Sequence, residues 1–228
     1  MDSLISIDEA RTLVADAELW PYIRDFLWDF APQVHPTWLE GIDCPGTLIS
    51  SPRIKKYIIS TLAIKPCFHA FPKDDFSRLL LLDCATLESI AKWIGTLASA
   101  ESLRRVTAGA TVRELKSSLP GIYPEVFGYT AYFKLKAGGV ESFEALKSED
   151  PKSAVESVVA AGWKVLFAAL SHLPESLLRR FSLKLPKSLE SFLSGRSTSD
   201  DQPSGFDANL IFKLLKLKFP EAYALCCS

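Results

Sequence analysis

Three histidines and five cysteines hold most of the reactive potential of this 228-residue chain, and their spacing decides what they can do. His35, His69 and His172 stand in unrelated local settings, none of them inside a recognisable catalytic pattern. Cys67-Phe68-His69 could supply half of a zinc site, but no second pair follows at ligand spacing, so a packed cysteine beside a partly exposed histidine is expected. With Asp74 or Asp75, Cys67 and His69 also make the only cluster that could be nominated for an enzyme of unfamiliar class. The adjacent Cys226 and Cys227 have Cα atoms about 3.8 Å apart, short of the usual disulfide span, and read as two small hydrophobes on a frayed end. No Gly-x-Gly-x-x-Gly, Walker loop, His-Glu-x-x-His or Gly-x-Ser-x-Gly occurs, and Gly138-Gly139 reads as a helix break. The expectation is therefore no catalytic residue, no metal and no cofactor.

What remains is binding. Arg104, Arg105, Arg113 and Lys116 cluster around one expected helix turn and could hold an acidic partner, or form an ordinary solvated face. Trp28 and Trp38 join them as candidate partner-facing residues. In the aromatic series Trp20, Tyr22, Phe26, Trp28 and Phe30, Phe26 and Phe30 share a helical face and Trp20 and Trp28 lie about two turns apart, a pattern suited first to core packing.

Helices must position all of these groups. Over Thr86 to Ala98 the apolar residues Leu87, Ile90, Ala91, Ile94, Leu97 and Ala98 recur at steps of three and four, an amphipathic helix. Ser6 with Glu9 and Thr111 with Glu114 have capping-box spacing, and Asp150-Pro151 sets an N-cap before a proline at the first helical position. Helices are predicted near 7–17, 20–30, 53–63, 75–82, 86–98, 100–107, 111–118, 122–134, 141–148, 152–171, 174–182, 187–194 and 207–218, with loops at 41–52 and 65–74 where breakers interrupt the period. The fold class is mainly α, a single compact multi-helix domain with irregular loops and at most minor strand content. Residues 1–194 would form the main domain. The polar run 195–205 would be a flexible linker, and residues 206–228 would carry a C-terminal helix packing back on the domain. That helix is expected to dock through Phe206, Leu210, Ile211, Leu214, Leu215 and Leu217 while Lys213, Lys216 and Lys218 stay solvated.

Apolar residues make up 48% and charged residues 23%, which excludes a disordered chain. The net charge of -1 gives no reason to expect nucleic acid, but its distribution is uneven. Residues 1–50 carry nine acids against two bases, and residues 51–136 carry seven acids against thirteen bases. An acidic N-terminal part thus precedes a basic middle. An N-terminus without a basic and apolar leader, and an odd number of irregularly spaced cysteines, point to a cytoplasmic protein. The apolar stretch Ala154 to Leu170 is interrupted by Glu156 and Lys164, so no membrane insertion is expected.

His35-Pro36-Thr37-Trp38-Leu39 resembles the His-Pro-Ser-Trp-Leu element of the SctK (YscK) family of type III secretion proteins. Leu79 to Leu119, with its Leu-rich stretch, Asp turn, Trp-Ile-Gly helix, Leu-Arg-Arg and Gly-Ala-x-Val-Arg-x-Leu, is similar to the family's central region. Leu183-Lys184-Leu185-Pro186 and Lys218-Phe219-Pro220-Glu221-Ala222 are similar to its C-terminal elements. The cysteines, the stretch from Cys44 to Phe71 and the segment Gly195 to Gly205 depart from the pattern. The resemblance implies a non-enzymatic, monomeric cytoplasmic adaptor that joins the cytoplasmic domain of the inner-membrane ring protein (SctD) to the pod, or C-ring, protein (SctQ). A helical effector chaperone or a pocket for an apolar ligand is the alternative that the high apolar content leaves open.

Overall fold

A computed structural model describes residues 18–40, 51–64, 71–72, 74–133, 150–190 and 209–227. Among them there is no strand, and the mainly α expectation holds. The predicted helices at 7–17 and 141–148, the linker at 195–205 and Phe206 lie outside the described residues. The contacts divide the chain into two compact units, one drawing on Met1–Cys84, Leu170–Leu193 and Ala224–Ser228, the other on Ala85–Ala169 and Ser194–Tyr223.

In the first unit, α1 (Trp20–Leu27) ends three residues before the predicted stop. Pro32 has no N–H to give Trp28 and its ring would meet that carbonyl, so the chain turns into a 3-10 segment at Ala31–Gln33. The aromatic pairs form as expected, Phe26 edge-on to Phe30 at 5.6 Å and Trp20 against Trp28 at 5.8 Å. Then come α2 (Pro36–Leu39) and α3 (Pro52–Thr61), which packs against the 3-10 segment while Lys55 pairs with Asp29 at 2.7 Å. The predicted helix at 75–82 is a tighter 3-10 segment, Ser77–Leu81, begun by Asp74, whose carboxylate accepts from the Ser77 N–H at 2.9 Å. It packs on α1 and buries Leu79, Leu80 and Leu81.

The second unit contains most of α4 (Cys84–Ala98), then α5 (Ala100–Arg104), α6 (Gly109–Ser118), α7 (Ile122–Phe133), most of α8 (Pro151–Leu170) and α10 (Asn209–Lys218). Leu87, Ile90, Ala91, Ile94 and Leu97 of α4 are all buried, as their spacing requires. Leu103, Leu115, Leu119, Tyr123, Ala154 and Val158 form one buried cluster from α5, α6, the turn after it, α7 and α8. Asp150 accepts from the Lys152 N–H at 3.1 Å, the predicted N-cap of α8. By contrast α6 starts two residues before Thr111, which is buried on the inner face and caps nothing.

α4 and α8 cross at two glycines. A Cβ on Gly95 would lie 1.9 Å from the Val158 carbonyl oxygen, and one on Gly162 would lie 1.9 Å from the Ala91 carbonyl oxygen. The two backbones touch, a reciprocal approach open only to residues without side chains. At 20 residues α8 is long and apolar enough to cross a bilayer by length and composition. Glu156 and Lys164 are exposed on it, whereas Ala154, Val158, Ala161, Val165 and Leu166 are buried inside the protein.

The first unit also holds α9 (Glu175–Leu183), followed by a 3-10 turn at Lys187–Leu189. The C-terminal segment is two helices, because Pro220 interrupts α10 and begins α11 (Pro220–Cys227). On α10, Leu210, Ile211, Leu214 and Leu215 are buried and Lys213 and Lys216 are exposed, as predicted. Leu217 and Lys218 reverse the expectation. Leu217 is exposed, while Lys218, seven residues after Ile211 and four after Leu214, falls on the buried stripe. There its ammonium pairs with Glu125 and sits 4.7 Å from the centres of both the Trp93 and Tyr129 rings.

Candidate functional site

Three separate sequence motifs meet in the first unit. Pro36 opens α2 with its fixed φ, and His35 before it is extended, so its Nδ1 accepts from the Thr37 N–H at 3.3 Å. The histidine ring is a helix cap. The His35 N–H donates to the Leu183 carbonyl at 2.8 Å, the Lys187 N–H donates to Thr37 Oγ1 at 2.9 Å, and Trp38 Nε1–H donates to the Leu185 carbonyl at 2.8 Å. His35-Pro36-Thr37-Trp38 is thereby stitched to Leu183-Lys184-Leu185-Pro186 across nearly 150 residues of chain. Arg179 and Lys187 each place their charge over the Trp38 ring, at 5.4 and 5.8 Å. The ring is only 7% exposed, so the surface role expected of Trp38 gives way to an internal one. Trp28 is half-buried against Trp20.

Lys184 brings in the third motif. Its side chain is 1% exposed, and its Nζ donates to the Leu80 carbonyl at 2.6 Å and the Leu82 carbonyl at 2.8 Å, 5.0 Å above the Phe26 ring. Two carbonyls and a π face match the three hydrogens of an ammonium group. Burial nevertheless pulls its pKa down to about 7, against the opposing pull of Cys84 and Asp83. One turn earlier, buried Arg180 donates to the Phe26 carbonyl at 3.1 Å and lies over the Phe30 ring. Two cations, Arg180 on α9 and Lys184 just past its end, thus fasten α1 and the Leu79–Leu82 stretch from inside. The composition gave no hint of these roles, because a Lys or Arg in a helix ordinarily reads as solvated.

The side chains nominated for chemistry are not assembled into a site among the described residues. Cys67 and His69 lie outside those residues. Asp74 caps the 3-10 segment and stands 3.5 Å from His172 Nε2, while Asp75 is exposed. Among the described residues no three His, Cys, Asp or Glu side chains converge as metal ligands would. Cys226 is fully buried, with its thiol pushed up to about 12 by burial, and its carbonyl accepts from Arg78 at 3.2 Å. The chain end expected to fray is a secured helix, with Cys227 exposed beside it.

Arg104, Arg105, Arg113 and Lys116 of the second unit are all exposed. Arg104, ending α5, donates to Thr130 Oγ1 at 2.8 Å and lies over the Phe127 ring. Arg105 pairs with Glu101 at 2.7 Å. Arg113 Nε–H donates to the Gly109 carbonyl at 3.2 Å, which draws its guanidinium back toward the start of α6, and Lys116 follows it by three residues. Glu114, between them in sequence, is half-buried and accepts from the Ser118 hydroxyl at 3.1 Å.

Comparison with curated proteins and with solved structures returns no match. The family profile of Yop proteins translocation protein K (YscK) matches residues 28–226, a span that holds the His35–Leu39, Leu79–Leu119 and Leu183–Pro186 motifs. The chain belongs to the YscK family of type III secretion proteins.

Proposed function

We propose that the chain is a non-enzymatic adaptor of the injectisome sorting platform, linking the cytoplasmic domain of the SctD-like inner-membrane ring protein to the SctQ-like pod protein. It works as a monomer in the cytoplasm, at the inner-membrane base of the secretion apparatus. The observation that carries this is membership of the YscK family over residues 28–226. The contacts of the motif residues agree with it. His35, Trp38 and Lys184 hold segments of the chain together, a use that gives a stable body for presenting surfaces to partners. Affinity purification of the tagged chain from secretion-competent cells tests the proposal. Ring and pod proteins should both co-purify, and recovery of neither would refute it.

A further inference from the structure

Cations in a folded surface are often answered by nearby carboxylates, and three of those described in the second unit are. Glu88 pairs with Lys92, Glu101 with Arg105 and Glu125 with Lys218. Arg104, Arg113 and Lys116 do not. Among the described residues Arg104 meets only the neutral Thr130 hydroxyl, the Phe127 carbonyl and the Phe127 ring. Among those residues Arg113 meets only the Gly109 carbonyl, and Lys116 meets no carboxylate. The nearest acid in sequence, Glu114, is turned to Ser118.

Both arginines are nonetheless held in place. Each uses part of its five-donor fork on a neutral acceptor of its own unit and keeps the remaining donors, so much of the side-chain entropy of an interfacial arginine is already lost before any partner arrives. Arg113 and Lys116, three residues apart on one helix, lie about 4.5 Å apart along its axis, and Arg113 is drawn toward the turn that joins α6 to Arg104 and Arg105.

We propose that Arg104, Arg113 and Lys116 form the docking surface for an acidic protein segment, which they meet through its carboxylates. The proposal rests on the adaptor reading and specifies the chemistry of one of its partners. Charge complementarity selects the occupant. Two tethered guanidinium forks suit the planar, bidentate geometry of carboxylates.

The test titrates labelled oligoglutamate peptide into the full-length protein and into the double variant Arg113→Gln/Lys116→Gln. An oligonucleotide of equal charge and phosphatidylserine vesicles are titrated in parallel. Lys213→Gln/Lys216→Gln, which removes two exposed cations from α10, serves as the control for nonspecific charge. The first variant should bind the peptide about tenfold more weakly and with a shallower salt dependence, while the control keeps wild-type affinity. Equal affinity of all three proteins, an equal loss in both variants, or a wild-type preference for oligonucleotide or vesicles that depends on Arg113 and Lys116 would overturn the proposal. Co-purification from cells separates the two levels. A variant that still recovers both partners as wild type does sinks this surface and leaves the adaptor standing. A wild type that recovers neither, yet binds oligoglutamate through Arg113 and Lys116, sinks the adaptor alone.

Discussion

Lys184 shows how far a residue can stand from its composition-level expectation. In sequence it is one lysine in Leu-Lys-Leu-Pro, and in the structure it is a buried cation joining α9 to Leu80 and Leu82. Nothing local announces this, because the carbonyls that need it lie about a hundred residues away. Its folded pKa is lowered to about 7 from 10.5, so above about pH 7 the unfolded chain holds this proton more firmly than the folded one. The cost of burying the charge is fully present below about pH 7 and is relieved as pH rises toward the unfolded value. Wild type should therefore gain roughly 2 kcal/mol over Lys184→Met between about pH 7 and about pH 9, measured by urea unfolding of both proteins. A stability difference independent of pH over that interval would show that Lys184 stays charged in its site. His35 and Trp38 teach a similar lesson. His35-Pro36-Thr37-Trp38 was legible as a motif, and what it touches became visible only once Leu183 to Lys187 was folded against it.

At the scale of elements, what could be read was what periodicity controls. The apolar spacing in α4 predicted its buried face, and Asp150-Pro151 predicted the start of α8. The misses have local causes. Pro36 and Pro220 open helices that the periodicity did not predict, and Thr111 looked like a cap but sits on the inner face of α6. The contact of α4 with α8 was hidden for another reason, since a glycine inside a helical pattern says nothing of the backbone that approaches it. Gly162→Ala should destabilise the protein by about 3 kcal/mol, because its Cβ would meet a backbone carbonyl that no rotamer change can move aside. Gly128, on an exposed stretch of α7, has nothing within 4 Å of its Cβ position. Gly128→Ala should stabilise by roughly 0.5 kcal/mol through helix propensity. Thermal melts of the two variants check the contrast, and equal shifts would mean that α4 and α8 do not meet as described.

For the whole molecule, the charge asymmetry was plain in the sequence, but which cations lack partners was not. Within the basic middle Lys55 is answered by Asp29 and Arg105 by Glu101, while Arg113 meets no carboxylate among the described residues. The family match makes the chain a type III secretion protein, and an adaptor of the kind proposed is defined by what it can hold at once. The most direct measurement is therefore a bridging assay with purified components. The ring protein's cytoplasmic domain is immobilised, and capture of the pod protein is recorded with and without this chain. Capture that requires the chain and saturates as the chain is added is the predicted result. Pod protein captured equally well without it, or never captured with it, would contradict the adaptor account.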